Sequence, residues 1–224
     1  LFCESLRKSI DFLSTDLICS HQDFLHAQQQ IVSLCKFFSI DGTISAEQLK
    51  ALKKWFWKTS FSNRYSTGQT TSKMNSDIET IINIRADNFI DVENFKYSVT
   101  ANELVETKFS KANPLTRAFL LLMAQHDPTD LIKNTKIDIA QALSKYNRKQ
   151  YHHIFPNVFL KKQGFPHGKI FSIVNFCFLP ADSNKKISKK SPSDYFFNLI
   201  PQGDFNNILA SNLVPLKKEL YQKD

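Results

Sequence analysis

The chain has 224 residues, 42% hydrophobic and 22% charged, which excludes a disordered tail and leaves ample apolar material for a core. Five glycines against twenty phenylalanines argue against a turn-rich β-sandwich and for helices. The net charge of +8 is local: residues 145–190 hold ten basic side chains (Lys145, Arg148, Lys149, Lys161, Lys162, Lys169, Lys185, Lys186, Lys189, Lys190) against a single acid, Asp182. A basic stretch of that kind is the footprint of phosphate contact, although a solvated lysine surface carries the same charge.

In chain order, Leu6, Ile10, Leu13 and Leu17 predict a first helix over 1–19, and Leu25, Ile31, Leu34, Phe37 and Phe38 predict a second over 23–38. Asp41-Gly42 breaks the chain. Ser45 and Gln48 form a capping box for a helix through Leu52, Trp55 and Phe56, and Ser76 with Glu79 predicts another before Ile78, Ile81, Ile82 and Ile84. Residues 87–112 are irregular, with a strand-like Lys96-Tyr97-Ser98-Val99. Asn113-Pro114 reads as an N-cap followed by Pro at the first helical position, opening an apolar helix over 115–125. A weak helix over 127–149 follows. The texture then changes: 151–155 is β-prone, 157–162 fits one helical turn, 164–168 is a turn, and 176–179 is a short apolar strand. Residues 182–190 fit a polar helix with Asp182 or Ser183 at its N-cap, and Ser191-Pro192 caps a last set of helices. The predicted class is mainly α. A helical domain over 1–145 precedes a strand–strand–helix unit over 146–190, and helices over 191–224 pack on the platform.

Cys3, Cys19, Cys35 and Cys177 show no CxxC pair or zinc spacing, and the first three, widely spaced in helical, apolar contexts, read as reduced, buried thiols, which suits the cytoplasm. No secretory leader is visible. The longest apolar run, 118–124, is far short of the ~20 residues of a membrane helix, so no membrane partner is expected. The chain opens at Leu1, without Met and inside a helical pattern, which reads as a piece of a longer protein with something upstream. His21, His26, His126 and His167 lack partners at useful spacing. Trp55, Phe56 and Trp57 read as core rather than a base-stacking surface, with Arg64 and Tyr65 in a polar role. No P-loop, GxGxxG, paired carboxylates or strained serine elbow is present.

The chemistry-bearing stretch is Tyr151-His152-His153-Ile154-Phe155-Pro156, read with Asn175 and Asn184. Phosphodiester hydrolysis needs a base for water, a cation for the pentacovalent phosphorus, and a group that orients the base. Neutral imidazole near pH 7 is the natural base. His153 is assigned as general base and His152 as metal ligand. Neighbours on a strand diverge, so a kink or bulge at the strand end is expected to bring both to one site. Asn184 supplies a second ligand through its amide oxygen. Asn175 braces the connecting loop and fixes His153 through a side-chain or backbone carbonyl. Lys161, Lys162, Lys185, Lys186, Lys189 and Lys190 hold the nucleic-acid backbone.

In His152-His153-Ile154-Phe155-Pro156, Asn175 before Phe176-Cys177-Phe178-Leu179, and Ser183-Asn184-Lys185-Lys186-Ile187-Ser188, the chain resembles the HNH (ββα-metal) nucleases. Within them it is most similar to the C-terminal half of bacterial proteins that join a ParB-like domain to an HNH domain, modification-dependent (type IV) restriction enzymes included. Leu52-Lys53-Lys54-Trp55-Phe56-Trp57-Lys58-Thr59-Ser60-Phe61-Ser62-Asn63-Arg64-Tyr65-Ser66 and Lys189-Lys190-Ser191-Pro192-Ser193-Asp194-Tyr195 extend the match over roughly 45–200, as motifs rather than an alignment. The resemblance implies a DNA endonuclease module of an antiviral restriction protein, leaving 5′-phosphate and 3′-hydroxyl ends. It also implies an upstream ParB-like domain that binds or hydrolyses nucleotide and controls the cut, and it leaves open a homodimer. The chain departs from the pattern at His152, where aspartate is more familiar, and at Asn175 and Asn184, where histidine is the alternative. A neutral His/Asn pair binds Mg²⁺ less strongly than a carboxylate, so Mn²⁺, Ni²⁺ or Co²⁺ are expected to serve as well. The alternatives are a nucleic-acid-binding module with a silent HNH site, and an RNA-cleaving enzyme.

Overall fold

The computed structural model describes residues 2–222 except 20, 63, 66, 67, 97, 98 and 144–150. Outside the described residues lie Leu1, Asn63, Ser66, Tyr97 and Ser98, the expected boundary at 145/146, and Lys145, Arg148 and Lys149 of the basic segment. The described residues are mainly helical, with one two-stranded sheet among them. Packing divides the chain into two compact units, Leu1–Thr100 with Lys111–Ala118, and Ala101–Ser110 with Phe119–Asp224. These limits do not coincide with the division at 145 and 190 expected from sequence texture.

The first unit contains α1 (Phe2–Thr15), α2 (Gln29–Ser39), α3 (Ala46–Ser60), α4 (Thr70–Arg85) and α5 (Ile90–Asn94). Its core is built on Phe12, Leu13, Phe24, Leu34, Phe37, Leu52, Trp55, Phe56, Ile81 and Ile84. Leu13 and Leu17 of the predicted stripe are buried, but α1 is rotated enough to leave Ile10 outside. Ser5, Ser9, Phe12 and Leu13 are buried, whereas Ile10 is 53% exposed. Small serines permit close approach to α2, and Ser9 spends its hydroxyl on the Ser5 carbonyl at 2.7 Å, so burying it leaves no polar group open. The second predicted helix starts later than expected, at Gln29.

The Ser45/Gln48 capping box is complete in both directions. Gln48 also accepts from Arg85 at 2.6 Å, and Arg85 donates to the carbonyls of Ile40, Asp41, Gly42 and Thr43. Gly42, at φ +102°, makes the break there. No cap forms at Ser76, because α4 begins nearly two turns earlier, at Thr70. Its inward face is Asp77, Thr80, Ile81 and Ile84, a helical stripe that includes a carboxylate. Asp77 is fully buried and takes hydrogen bonds from Trp55 Nε1 (3.4 Å), Arg64 Nε (3.0 Å) and the Tyr65 hydroxyl. Arg64 and Tyr65 therefore have a structural role. Trp55 and Phe56 are core as expected, with Trp57 half-buried against Phe61.

In the second unit α6 (Ala101–Glu106) packs beside the segment that enters the second strand: Ile173 N donates to Thr107 O at 2.8 Å and Phe109 N to Phe171 O at 2.7 Å. α7 (Pro114–Ala124) starts at the expected Asn113 cap, whose Oδ1 accepts from Leu115 N at 2.8 Å, and the limit between the units falls within it. Only α8 (Ile139–Ala142) is helical in the described part of 127–149. Then come β1 (Tyr151–His153), α9 (Asn157–Lys162), α10 (His167–Ile170), β2 (Phe176–Phe178), α11 (Ala181–Ile187), α12 (Pro192–Asn198) and α13 (Phe205–Ser211). α12 is capped by Ser191 as expected. α11 is not capped by Asp182 or Ser183; it starts after Pro180, and Ser183 turns its hydroxyl inward to Asp130 at 2.6 Å. All four cysteines are free thiols. Cys19, Cys35 and Cys177 are buried, but Cys3 is exposed, because it lies on the outer face of α1. Burial pushes the Cys19 and Cys177 thiols up to about 12.

No described helix is long and apolar enough to cross a membrane.

Candidate functional site

β1 and β2 pair antiparallel in a regular register, Tyr151 with Phe178, His152 with Cys177 and His153 with Phe176. The strands are only three residues long, and the chain turns away immediately after His153. No bulge interrupts the ladder. His152 and His153 nevertheless line the same cavity, of about 200 Å³, together with Pro156, Asn157 and Val158 at the start of α9 and Asn184, Ile187 and Ser188 at the end of α11. The shortness of the strand, not a bulge inside it, accompanies this convergence: a chain that bends at 154 is no longer bound by the alternation of an extended strand.

His153 is half-buried. Its ring meets Phe171 edge-on at 5.0 Å and lies 4.4 Å from Phe176. Burial first, and the neighbouring His152 second, hold its pKa below the usual histidine value, which keeps it neutral near pH 7. Nε2 is shut off from solvent and has no hydrogen-bond partner. Of the two ring nitrogens, Nε2 is thus the one closed to a water in the cavity.

Asn175 does not line that cavity, and no hydrogen bond joins it to the ring of His153. It acts on the backbone instead. Its carbonyl accepts from Ile154 N at 2.8 Å, its Oδ1 accepts from Phe155 N at 2.8 Å, and its Nδ2 donates to Phe155 O at 3.2 Å and Ile170 O at 2.9 Å. The amide thus clamps the loop between the strands, as expected, but grips the residues after His153 rather than the imidazole. On its other side Asn175 joins the wall of a larger apolar cavity of about 510 Å³, with Phe155, Phe159 and Phe165.

α11 presents Asn184 because Ser183 and Ile187 are the residues it buries. Ser183 is anchored on Asp130, Asp182 is ion-paired with Lys133, and Asn184, next along the helix, falls at the cavity. Lys185, Lys186 and Lys189 are exposed, as are Lys161 and Lys162 on the last turn of α9. Lys190 is partly engaged, 3.3 Å from Asp194, and Lys169 is ion-paired with Glu106. Two further cavity residues were not singled out from sequence. Asn157 follows directly on the His-His-Ile-Phe-Pro run, a position that could have been read. Ser188, at φ +50°, ends α11, and only folding brings it to the site. His167 stacks on Phe171 at 4.4 Å, one ring removed from His153.

An imidazole and an amide oxygen are donors that Mg²⁺ and Mn²⁺ accept when water and phosphate complete the shell, so His152 and Asn184 on one small cavity fit a divalent ion. Among the described residues no group of three or more His, Cys, Asp or Glu gathers to hold a metal. The fit rests on neutral donors.

No family model matches the chain, and no solved structure does. An uncharacterized protein of Methanocaldococcus jannaschii is 36% identical over 154 residues, covering 66% of this chain and 25% of that protein. The chain spans about a quarter of the length of this relative.

Proposed function

We propose that residues 151–188 carry a metal-dependent endonuclease site of the HNH (ββα-metal) kind, acting on DNA. One observation carries the reading: the adjacent His152 and His153 and the distant Asn184 line a single cavity of about 200 Å³. The order β1, β2, α11 is the order such a unit requires. His153, kept neutral by burial and by His152, takes a proton from the attacking water. His152 and Asn184 are the residues that hold the cation, Mg²⁺ or Mn²⁺, or the softer Ni²⁺ or Co²⁺. When bound, the cation supplies positive charge against the pentacovalent phosphorus and the leaving oxygen. Lys161, Lys162, Lys185, Lys186 and Lys189 offer exposed charge to the nucleic-acid backbone, Lys190 less so because of Asp194. The role of the whole protein, restriction of foreign DNA under a ParB-like domain, is proposed on the motif resemblance alone.

The test is plasmid nicking with Mg²⁺, Mn²⁺ or EDTA, using wild type and His153→Ala. The expected result is metal-dependent nicking that the variant loses while it still binds DNA. Nicking by His153→Ala at the wild-type rate overturns the mechanism. A second reading, a nucleic-acid-binding module with a silent site, draws on the absence of any carboxylate among the described residues of the cavity wall. It predicts salt-dependent DNA binding without cleavage under any divalent ion. An RNA substrate in parallel separates the RNA-cleaving alternative.

A further inference from the structure

Ile154 and Phe155, which follow His153, have all four of their backbone polar groups tied. Asn175 takes three: its carbonyl accepts from Ile154 N, and its side chain both accepts from Phe155 N and donates to Phe155 O. The fourth, the Ile154 carbonyl, accepts from the hydroxyl of Tyr195. Tyr195 lies on α12, 41 residues further along the chain, and its side chain is fully buried. It packs against Phe196 at 4.3 Å, on a helix held at its start by the Ser191 cap and Pro192.

A buried hydroxyl and a buried carbonyl satisfy each other here, and neither has water as a substitute. The bond also has a directional consequence. His153 ends β1, and the next peptide is where the chain turns toward α9 and the cavity. Asn175 alone holds that turn from one side of the hairpin. Tyr195 holds it from a helix outside the strand–strand–helix element. We infer that Tyr195 is a positioning residue for His153, acting through the Ile154 carbonyl, an inference that rests on the nuclease reading for its catalytic consequence. The C-terminal helices are then part of the working site rather than packing alone. A base displaced by a fraction of an ångström loses rate without losing substrate affinity, because its alignment counts only in the transition state.

The decisive variant is Tyr195→Phe, which removes one oxygen and keeps the ring. In the full chain with Mn²⁺, kcat for nicking is expected to fall about tenfold to a hundredfold while KM for plasmid stays within about twofold. Amide exchange, followed by mass spectrometry, is expected to quicken in the peptide covering 151–158 and not in the first unit. Wild-type kcat, or a raised KM at unchanged kcat, overturns the inference. So does unchanged exchange over 151–158, or exchange that quickens throughout the chain, which assigns Tyr195 to general stability. A wild type that does not nick, or a His153→Ala variant that does, removes the nuclease reading separately, and the exchange measurement still decides whether Tyr195 holds the turn.

Discussion

Two polar clusters in this protein use similar residues in opposite ways. Around Asp77, in the first unit, Trp55, Arg64 and Tyr65 all donate to one buried carboxylate, and Arg64 also lies 5.0 Å from the Phe95 ring and donates to Lys73 O. Around the cavity at His152, His153 and Asn184, in the second unit, His153 Nε2 has no partner and the wall is made of neutral side chains. The first cluster consumes its lone pairs and is a structural anchor. The second leaves the buried Nε2 of His153 unmatched. Burial of polar groups is common to both; the two differ in whether the buried groups are matched.

That contrast can be broken at either end. The largest effect is expected at the site: His153→Ala should lower nicking by about 10²–10⁴-fold, with DNA affinity measured by filter binding little changed. Asp77→Ala should do the reverse, leaving the cavity intact and costing about 3–5 kcal/mol in urea unfolding of the first unit, because Arg64 loses its buried partner. A loss below about 1 kcal/mol would show that the Asp77 cluster does not anchor the first unit.

The pH dependence sharpens the comparison, since the first unit also holds buried polar atoms without a hydrogen-bond partner, and one of the groups concerned, His26, is titratable. His26 is 2% exposed, neither ring nitrogen makes a well-formed hydrogen bond although the Pro114 backbone lies close, and it lies near Arg117 and Tyr65. Burial first, then the Arg117 charge, lowers its pKa from 6.5 to about 4. Below pH 6.5 the unfolded chain binds this proton and the folded chain does not, so folding stability falls as pH drops from 6.5 toward 4. The span corresponds to about 3 kcal/mol. Unfolding at pH 7 and pH 4.5 should show a loss in wild type that is smaller in His26→Leu; equal losses would remove His26 as the cause. The smallest effect is local. Ser45→Ala should cost about 1 kcal/mol by opening the capping box of α3, read as a shift of the urea midpoint.

Where the chain's own neighbours decide the geometry, the sequence was legible. The Ser45/Gln48 box, the Asn113-Pro114 start, the Ser191 cap, the Gly42 break and the two short strands lie where local rules put them. The same rules misled wherever a distant partner outbid them. Ser76 sits inside α4 because Asp77 is anchored by Trp55, Arg64 and Tyr65. Ser183 is drawn inward by Asp130 rather than capping α11. α1 buries serines in place of Ile10. At the candidate site, His152, His153, Asn175 and Asn184 were all named from sequence, but the grip of Asn175 on Ile154 and Phe155 was not, nor the places of Asn157, Ser188 and Tyr195.

By itself, then, the sequence determined the helical class, the turn and cap positions and the residue types available for chemistry, because these follow from backbone sterics and hydrogen bonds spanning a few residues. Only the tertiary structure decided which helix faces are buried, which polar groups are consumed and which histidine nitrogen is closed to solvent. Each of those depends on atoms brought together from far along the chain, where burial makes every unmatched donor or acceptor costly and so selects one arrangement.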